Sequence, residues 1–345
     1  MRNLRAVAVC ALDQNLAALE WSPDGTSLAW ADLDGGIGVL RAGVIKRWKS
    51  PSAACLAWAP DSRRFLTGGD DGVLRVWDAA AADGAMQVWN PAAVGVPARQ
   101  RPAAIGAAVW GPSCVAVAAG KHVELRSATG ELMGEPTALP ATVSALVRDP
   151  ARDGFIAAGY GEAVAIPASA GAVRKFTWKG SMLSLSPSPD GKYVAIGCQD
   201  NSVLVWQRSL GPAPEGAPEP EPMRMGGFPG KVQHLAWGDG ATLFTAGGDA
   251  LATWSFAGRG PAGQDGVGLG GHAGRILGVQ TARRGRLMAS LGEEGRVARL
   301  ICWTYRRAWE PIASVQLAAT TLALRADGRG FAAAGENLLL AEIPD

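Results

Sequence analysis

Apolar and polar positions alternate along this chain in short runs, and Gly, Pro, Asp and Ser break the runs. A period of two belongs to β-strands, and the breakers mark tight turns. The clearest stretch has apolar runs at 55–58, 64–69 and 73–78, separated by Pro60-Asp61 and by Asp70-Asp71-Gly72. Similar triplets occupy 19–40 and 183–206, with Pro23-Asp24-Gly25 and Pro189-Asp190-Gly191 between their first two runs. In such a turn Pro fixes φ, Asp bonds the local backbone and Gly takes a positive φ. Between the triplets no amphipathic helical period stands out. The pattern therefore predicts an all-β chain of repeated hairpins.

Weaker copies surround Trp110, Arg148, Trp237, Gln280 and Arg325. The positions equivalent to Trp21 then run Trp21, Trp58, Trp110, Arg148, Pro187, Trp237, Gln280 and Arg325, at a mean spacing of about 43 residues. A steady period of this length is the mark of a repeat architecture in which each unit buries its faces against its neighbours. Three inserts stretch the period: 79–102, with a strand-like segment at 86–89; 211–222, which is Pro-rich and has no apolar payload, so that a flexible loop is expected; and the Gly-rich 258–271. The repeat resumes in phase after each one, so they read as loops of one domain spanning 1–345.

Trp77-Asp78 closes the third run of the clearest copy, and Gly271-His272 precedes the apolar run 276–280. With the repeat period, these dipeptides make the chain resemble the WD40 family of β-propellers, with mostly degenerate repeats. The resemblance implies a WD40-like β-propeller of eight blades, with seven as the alternative. It also implies closure by the N-terminal strand, 4–12 pairing with 338–343 to complete the last blade. An Asp such as Asp70, Asp200 or Asp249 at the second turn would then bond structural groups, and His272 would join such a network. Propellers of this family commonly act as non-catalytic scaffolds or adaptors for protein–protein interactions, so other proteins are the expected partners. Their binding face is often built from the loops that lead into the innermost strands and the turns after the second strands. The matching candidates are Tyr160, Trp178, Lys179, Gln199, Phe228 and Arg275. Trp21, Trp58, Trp110 and Trp237 share one repeat position, which argues for packing between blades rather than a ligand cage.

Composition narrows the function. Of 345 residues, 33 are basic and 31 acidic, a net charge of +2, which argues against a global polyanion binder. A nucleic-acid-associated role through Arg283-Arg284, Arg306-Arg307 and the aromatic stretch 302–309 is the alternative, and an enzyme with a central-channel site the third reading. Candidate acids are scattered through the repeat, whereas acid–base catalysis needs convergence. No phosphate-loop, nucleophile-elbow or zinc-helix motif occurs, so no catalytic residue, cofactor, metal site or small-molecule substrate is expected. The 5 Cys lie far apart and read as buried thiols of a reducing compartment. No apolar run reaches membrane-spanning length. The short apolar segment 6–12 ends at Asp13 and reads as a strand rather than a signal peptide, which predicts an intracellular, cytoplasmic protein.

Overall fold

The computed structural model describes residues 2–82, 85–89, 103–169, 171–208, 221–238, 241–258, 260–261, 263–282, 286–305 and 308–343. Among them every regular element is a strand. The chain divides into two compact units. One comprises Asp13–Asp149 and Asp153–Thr177; the other comprises Met1–Leu12, Pro150–Arg152 and Trp178–Asp345.

The unit that begins at Asp13 is built of consecutive antiparallel meanders. Its first sheet runs Leu16–Trp21, Ser27–Asp32, Gly36–Arg41 and Val44–Lys49. The second runs Cys55–Trp58, Arg64–Gly68, Leu74–Asp78 and Ala85–Trp89. The strand-like segment of the 79–102 insert is thus this sheet's outer strand. The third sheet runs Ile105–Trp110, Val115–Ala119, His122–Arg126 and Thr137–Ala138. The fourth begins with Ala145–Arg148, Gly154–Ala158 and Tyr160–Pro167.

The strand Arg174–Pro187 serves two meanders, pairing with Tyr160–Pro167 and then with Tyr193–Cys198. The fourth and fifth repeats therefore form one seven-stranded sheet, continued by Val203–Gln207 and Met223–Met225. The sixth repeat runs Val232–Trp237, Thr242–Gly247, Ala250–Ser255 and Val267–Gly268. The seventh runs Ile276–Thr281, Leu287–Glu294, Val297–Tyr305 and Trp309–Leu317. The eighth runs Thr321–Leu324, Gly330–Ala334 and Asn337–Glu342, completed by the N-terminal strand Val7–Ala11.

N-terminal pairing is with the C-terminal strand, but over a shorter span than 4–12. Val7, Ala8, Cys10 and Ala11 face Leu340, Leu339, Leu338 and Asn337. Leu4 is buried in the core between the seventh and eighth sheets, and Arg2–Asn3 adds a parallel fifth strand to the seventh. Burial of Leu4 forces the chain to cross from one sheet edge to the next.

The strand pattern builds the core. Within each unit, consecutive sheets pack face to face through their inner strands. Ala29, Ile37 and Val39 of the first sheet pack on Trp58, Phe65 and Trp77 of the second. Ala195 and Val205 of the fifth pack on Trp237 and Leu243 of the sixth. The shared Trp position is a packing position: the Trp58 indole donates to the Glu20 carbonyl at 3.0 Å, and Trp237 to that of Ser186 at 2.8 Å. In the last two repeats the equivalent residues are Thr281 and Leu324, one position away from the Gln280 and Arg325 read from the sequence. Thr281 faces Met288 and Leu324 faces Phe331, as Trp58 faces Phe65. Gln280 instead bridges sideways, donating to the Leu322 carbonyl at 2.8 Å and accepting from the Leu324 amide at 2.7 Å.

Inside the sheets a hydroxyl on the second strand receives an indole from the third. Trp77 donates to Thr67 and Trp254 to Thr245, both at 2.9 Å, and Trp303 to Ser290 at 2.8 Å. The turns are capped as their sequence predicts. Burial alone would raise the carboxyl pKa of Asp24 and Asp190. The hydroxyls of Ser22 and Ser188 and the amides two residues on outweigh burial and hold both below the ordinary range. Cys55, Cys114, Cys198 and Cys302 are buried free thiols, and burial pushes Cys302 up to about 12.

Candidate interaction site on the fifth repeat

The fifth repeat presents a cluster of exposed and half-exposed polar and aromatic groups. Trp178 and Lys179 do not lie in a loop. They sit within the continuous strand Arg174–Pro187, because no break separates the fourth outer strand from the fifth inner one. Gly180 follows at φ +146°, a conformation that side chains disfavour, and the register shifts between Met182 and Ser184.

Gln199 and Asp200 form the turn after the second strand, where Gln199 is exposed and its amide donates to the Ser181 carbonyl at 3.0 Å. Arg224 comes from the outer strand and joins the group. Its guanidinium pairs with Asp200 at 3.1 Å and lies 6.0 Å from the centre of the Trp178 ring. The other Asp200 oxygen accepts the Ser202 hydroxyl at 2.5 Å. Sequence reasoning missed Arg224, although strand alternation between Met223 and Met225 turns it outward. The pair is more than 40% exposed on both sides (56% and 44%), so it adds little stability and is available to a partner.

The remaining candidates fall elsewhere. Tyr160 is 57% exposed and belongs to the other compact unit. Arg275 is exposed and pairs with Glu293 at 3.0 Å. Phe228 is a correction: it is 8% exposed, not a surface anchor. Its loop folds inward, so the ring packs with Met225, Val232 and Trp254 in the core of the fifth and sixth sheets. Arg283-Arg284 and Arg306-Arg307 lie outside the described residues, as do 211–220 of the Pro-rich insert. Of the aromatic stretch 302–309, Trp303 is buried and Trp309 meets Phe244 edge-on at 4.6 Å.

Titratable groups with displaced pKa values serve the sheets. His272 lies 2.7 Å from the Ser290 hydroxyl that also accepts Trp303, so it does join a structural network, through Ser rather than Asp. Burial, and secondarily the Arg299 charge, lower its pKa to about 4. His234 is lowered by burial and then by the Arg275 charge. Burial works against the Asp78 carboxylate, but Arg63 at 2.7 Å and the Ala80 amide outweigh it and hold its pKa down. Among the described residues no group of three or more His, Cys, Asp or Glu is placed to hold a metal ion. No described helix is long and apolar enough to cross a membrane.

The repeated four-stranded meanders, with their indole–hydroxyl pairs and inter-sheet cores, define an all-β WD40-type β-propeller fold. The family of the WD domain, G-beta repeat, matches at residues 45–78 and 173–207, so the chain carries WD40 repeats. It is similar over 100% of both chains to the C-terminal WD40 domain of Sif2, with a TM-score of 0.76 and 14% identity. It is also similar to a chain from a mitotic checkpoint complex, covering 100% of this chain and 92% of that one at a TM-score of 0.58 and 16% identity. No curated protein matches the sequence.

Proposed function

We propose that this chain is a non-catalytic, eight-bladed WD40 adaptor that binds other proteins within a larger assembly. The observation that carries the reading is the Trp178–Arg224–Asp200 cluster, an aromatic and an Arg held half-open on a rigid sheet. Aromatic and Arg side chains anchor protein interfaces, and a preset geometry lowers the ordering cost of binding. The family supports the same reading, since its folds are used for interaction, and one similar structure is that of a mitotic checkpoint complex. The eight-bladed count rests on the eight repeats, two of which share the seven-stranded sheet. The displaced titratable groups support a non-catalytic role, because Asp24, Asp78, Asp190 and His272 are held by structural partners and Cys302 is displaced by burial alone.

The test is affinity capture from native lysate with the intact chain and with a Trp178→Ala, Arg224→Glu double variant. The proposal expects a stoichiometric protein that the variant loses while its melting midpoint stays unchanged. A capture profile indifferent to the variant would overturn the site, and the absence of any stoichiometric protein would overturn the adaptor role.

A further inference from the structure

A cleft of about 270 Å³ opens at one end of the first sheet. Trp30, Trp48, Asp32, Asp34, Arg47 and Lys49 contribute its chemistry, and all lie in one compact unit. Trp30 occupies the second-strand position that holds Thr67, Thr245 and Ser290 in other sheets, as its pairing register gives. The third-strand position that carries Trp77 in the second sheet is Leu40 here. The aromatic has therefore changed strands. Its indole lies across Gly38, where an added Cβ would come within 2.0 Å of the ring. Trp30 is only 3% exposed, yet among the described residues its N–H has no acceptor, and it lines the cleft. The nitrogen keeps access to solvent, so a molecule in the cleft can supply its acceptor in place of water.

The cleft also holds unspent acceptors. Asp32 Oδ1 accepts the amides of Asp34 and Gly36 at 3.0 and 2.7 Å, which fixes the turn. Asp32 Oδ2 and the whole Asp34 carboxylate have no partner among the described residues. Arg47 is drawn toward Asp13 at 3.6 Å, so two open carboxylates face one open ammonium, that of Lys49. Between the two acids, at the turn tip, Leu33 is 65% exposed. Trp48 supplies a half-buried aromatic wall that also packs toward Phe65 and Trp77 and donates to the Ala82 carbonyl at 3.4 Å.

We infer that this cleft receives the arginine or lysine side chain of a partner polypeptide. The cationic head meets Asp32 Oδ2 and Asp34, and the aliphatic stem lies against Trp48. Main-chain carbonyls of the same segment accept from the Trp30 indole and Lys49, and Leu33 meets a neighbouring apolar residue. A polyanion is disfavoured by the open carboxylates. The inference rests on the adaptor reading only for the occupant being part of a protein.

The test titrates N-acetyl-arginine amide, N-acetyl-norleucine amide and N-acetyl-glutamate amide into the full chain, followed by calorimetry or amide NMR. The arginine compound should bind saturably, weaken with added salt, and lose about fivefold in affinity in Asp34→Asn. That variant keeps the fold, because the Asp34 side chain is exposed and makes no bond within the chain. The norleucine compound should not saturate. Equal binding of arginine and norleucine, preference for glutamate, an unchanged Asp34→Asn, or no saturation up to about 10 mM would each overturn the inference. Because the probes are small amides, a failed cleft leaves the lysate result standing, and a failed lysate capture leaves the cleft standing.

Discussion

The first and second sheets of the same unit use one repeat position in opposite ways. In the second, Thr67 accepts the Trp77 indole, and both are buried with every polar atom of the pair satisfied. In the first, a Trp stands where the hydroxyl should be, Leu40 stands where the Trp should be, and Gly38 makes room. The Thr67–Trp77 pair locks the second sheet internally. The first sheet keeps the aromatic bulk in Trp30 but leaves its N–H without an acceptor at the cleft. A degenerate repeat is thus not simply a weaker one: a position released from the internal lock becomes available for recognition.

The comparison breaks most readily at Gly38. Gly38→Ala should collide with the Trp30 ring and destabilise the protein by about 3 kcal/mol, read as a drop in urea midpoint. A loss below about 0.5 kcal/mol would mean that Trp30 moves freely and does not define the cleft wall. The next effect separates the two Trp arrangements. Thr67→Val leaves a buried indole N–H without an acceptor and should cost about 2 kcal/mol. Trp30→Phe removes no hydrogen bond and should cost about 1 kcal/mol or less in the same denaturation experiment. Equal costs would erase the distinction.

The seventh sheet sharpens it through pH, because Ser290 serves both Trp303 and His272. Burial holds His272 neutral down to about 4 in the folded chain, against an ordinary value of 6.5. The unfolded chain therefore takes the proton first as pH falls. Stability from this group is complete above 6.5, declines below it, and levels off near 4. His272→Gln should flatten that slope, by about 1–2 kcal/mol after allowing for partial exposure, in denaturation curves taken at successive pH values. His234, lowered in the same direction, leaves a residual slope in the variant. A slope unchanged by His272→Gln would place its cause elsewhere.

The smallest effect lies in the turns. Ser62 holds φ +56° where Gly25 and Gly191 hold +72° and +69° in the matching turns. Ser62→Gly relieves that strain but loses the bond its hydroxyl accepts from the Asp24 amide at 3.1 Å. The two should nearly cancel, leaving a change within about 0.5 kcal/mol in the same assay.

Most of the fold was legible because its determinants are local. Alternation, Pro-Asp-Gly turns and the Trp period each act within a few residues, so the meanders of the first three repeats fall where the pattern puts them. What was illegible depends on partners distant in sequence. The continuous strand through Trp178 has no local mark beyond Gly180. The inward fold of Phe228 depends on Trp254, and the one-residue offset at Thr281 and Leu324 depends on strand register. The candidate site was half legible: Trp178, Lys179 and Gln199 were read from the repeat, whereas Arg224 was hidden in an outer strand beside the Pro-rich insert. The cleft was not legible, because a Trp in a strand reads as core until its opposite neighbour is known to be Gly38.

The most direct measurement is the indole N–H resonance of Trp30 against that of Trp77 during titration with N-acetyl-arginine amide. The account predicts that the Trp30 resonance moves saturably and is protected from solvent exchange as the cleft fills, while Trp77, locked on Thr67, stays in place. A Trp30 resonance that stays fixed, or that moves no more than that of Trp77, would contradict it.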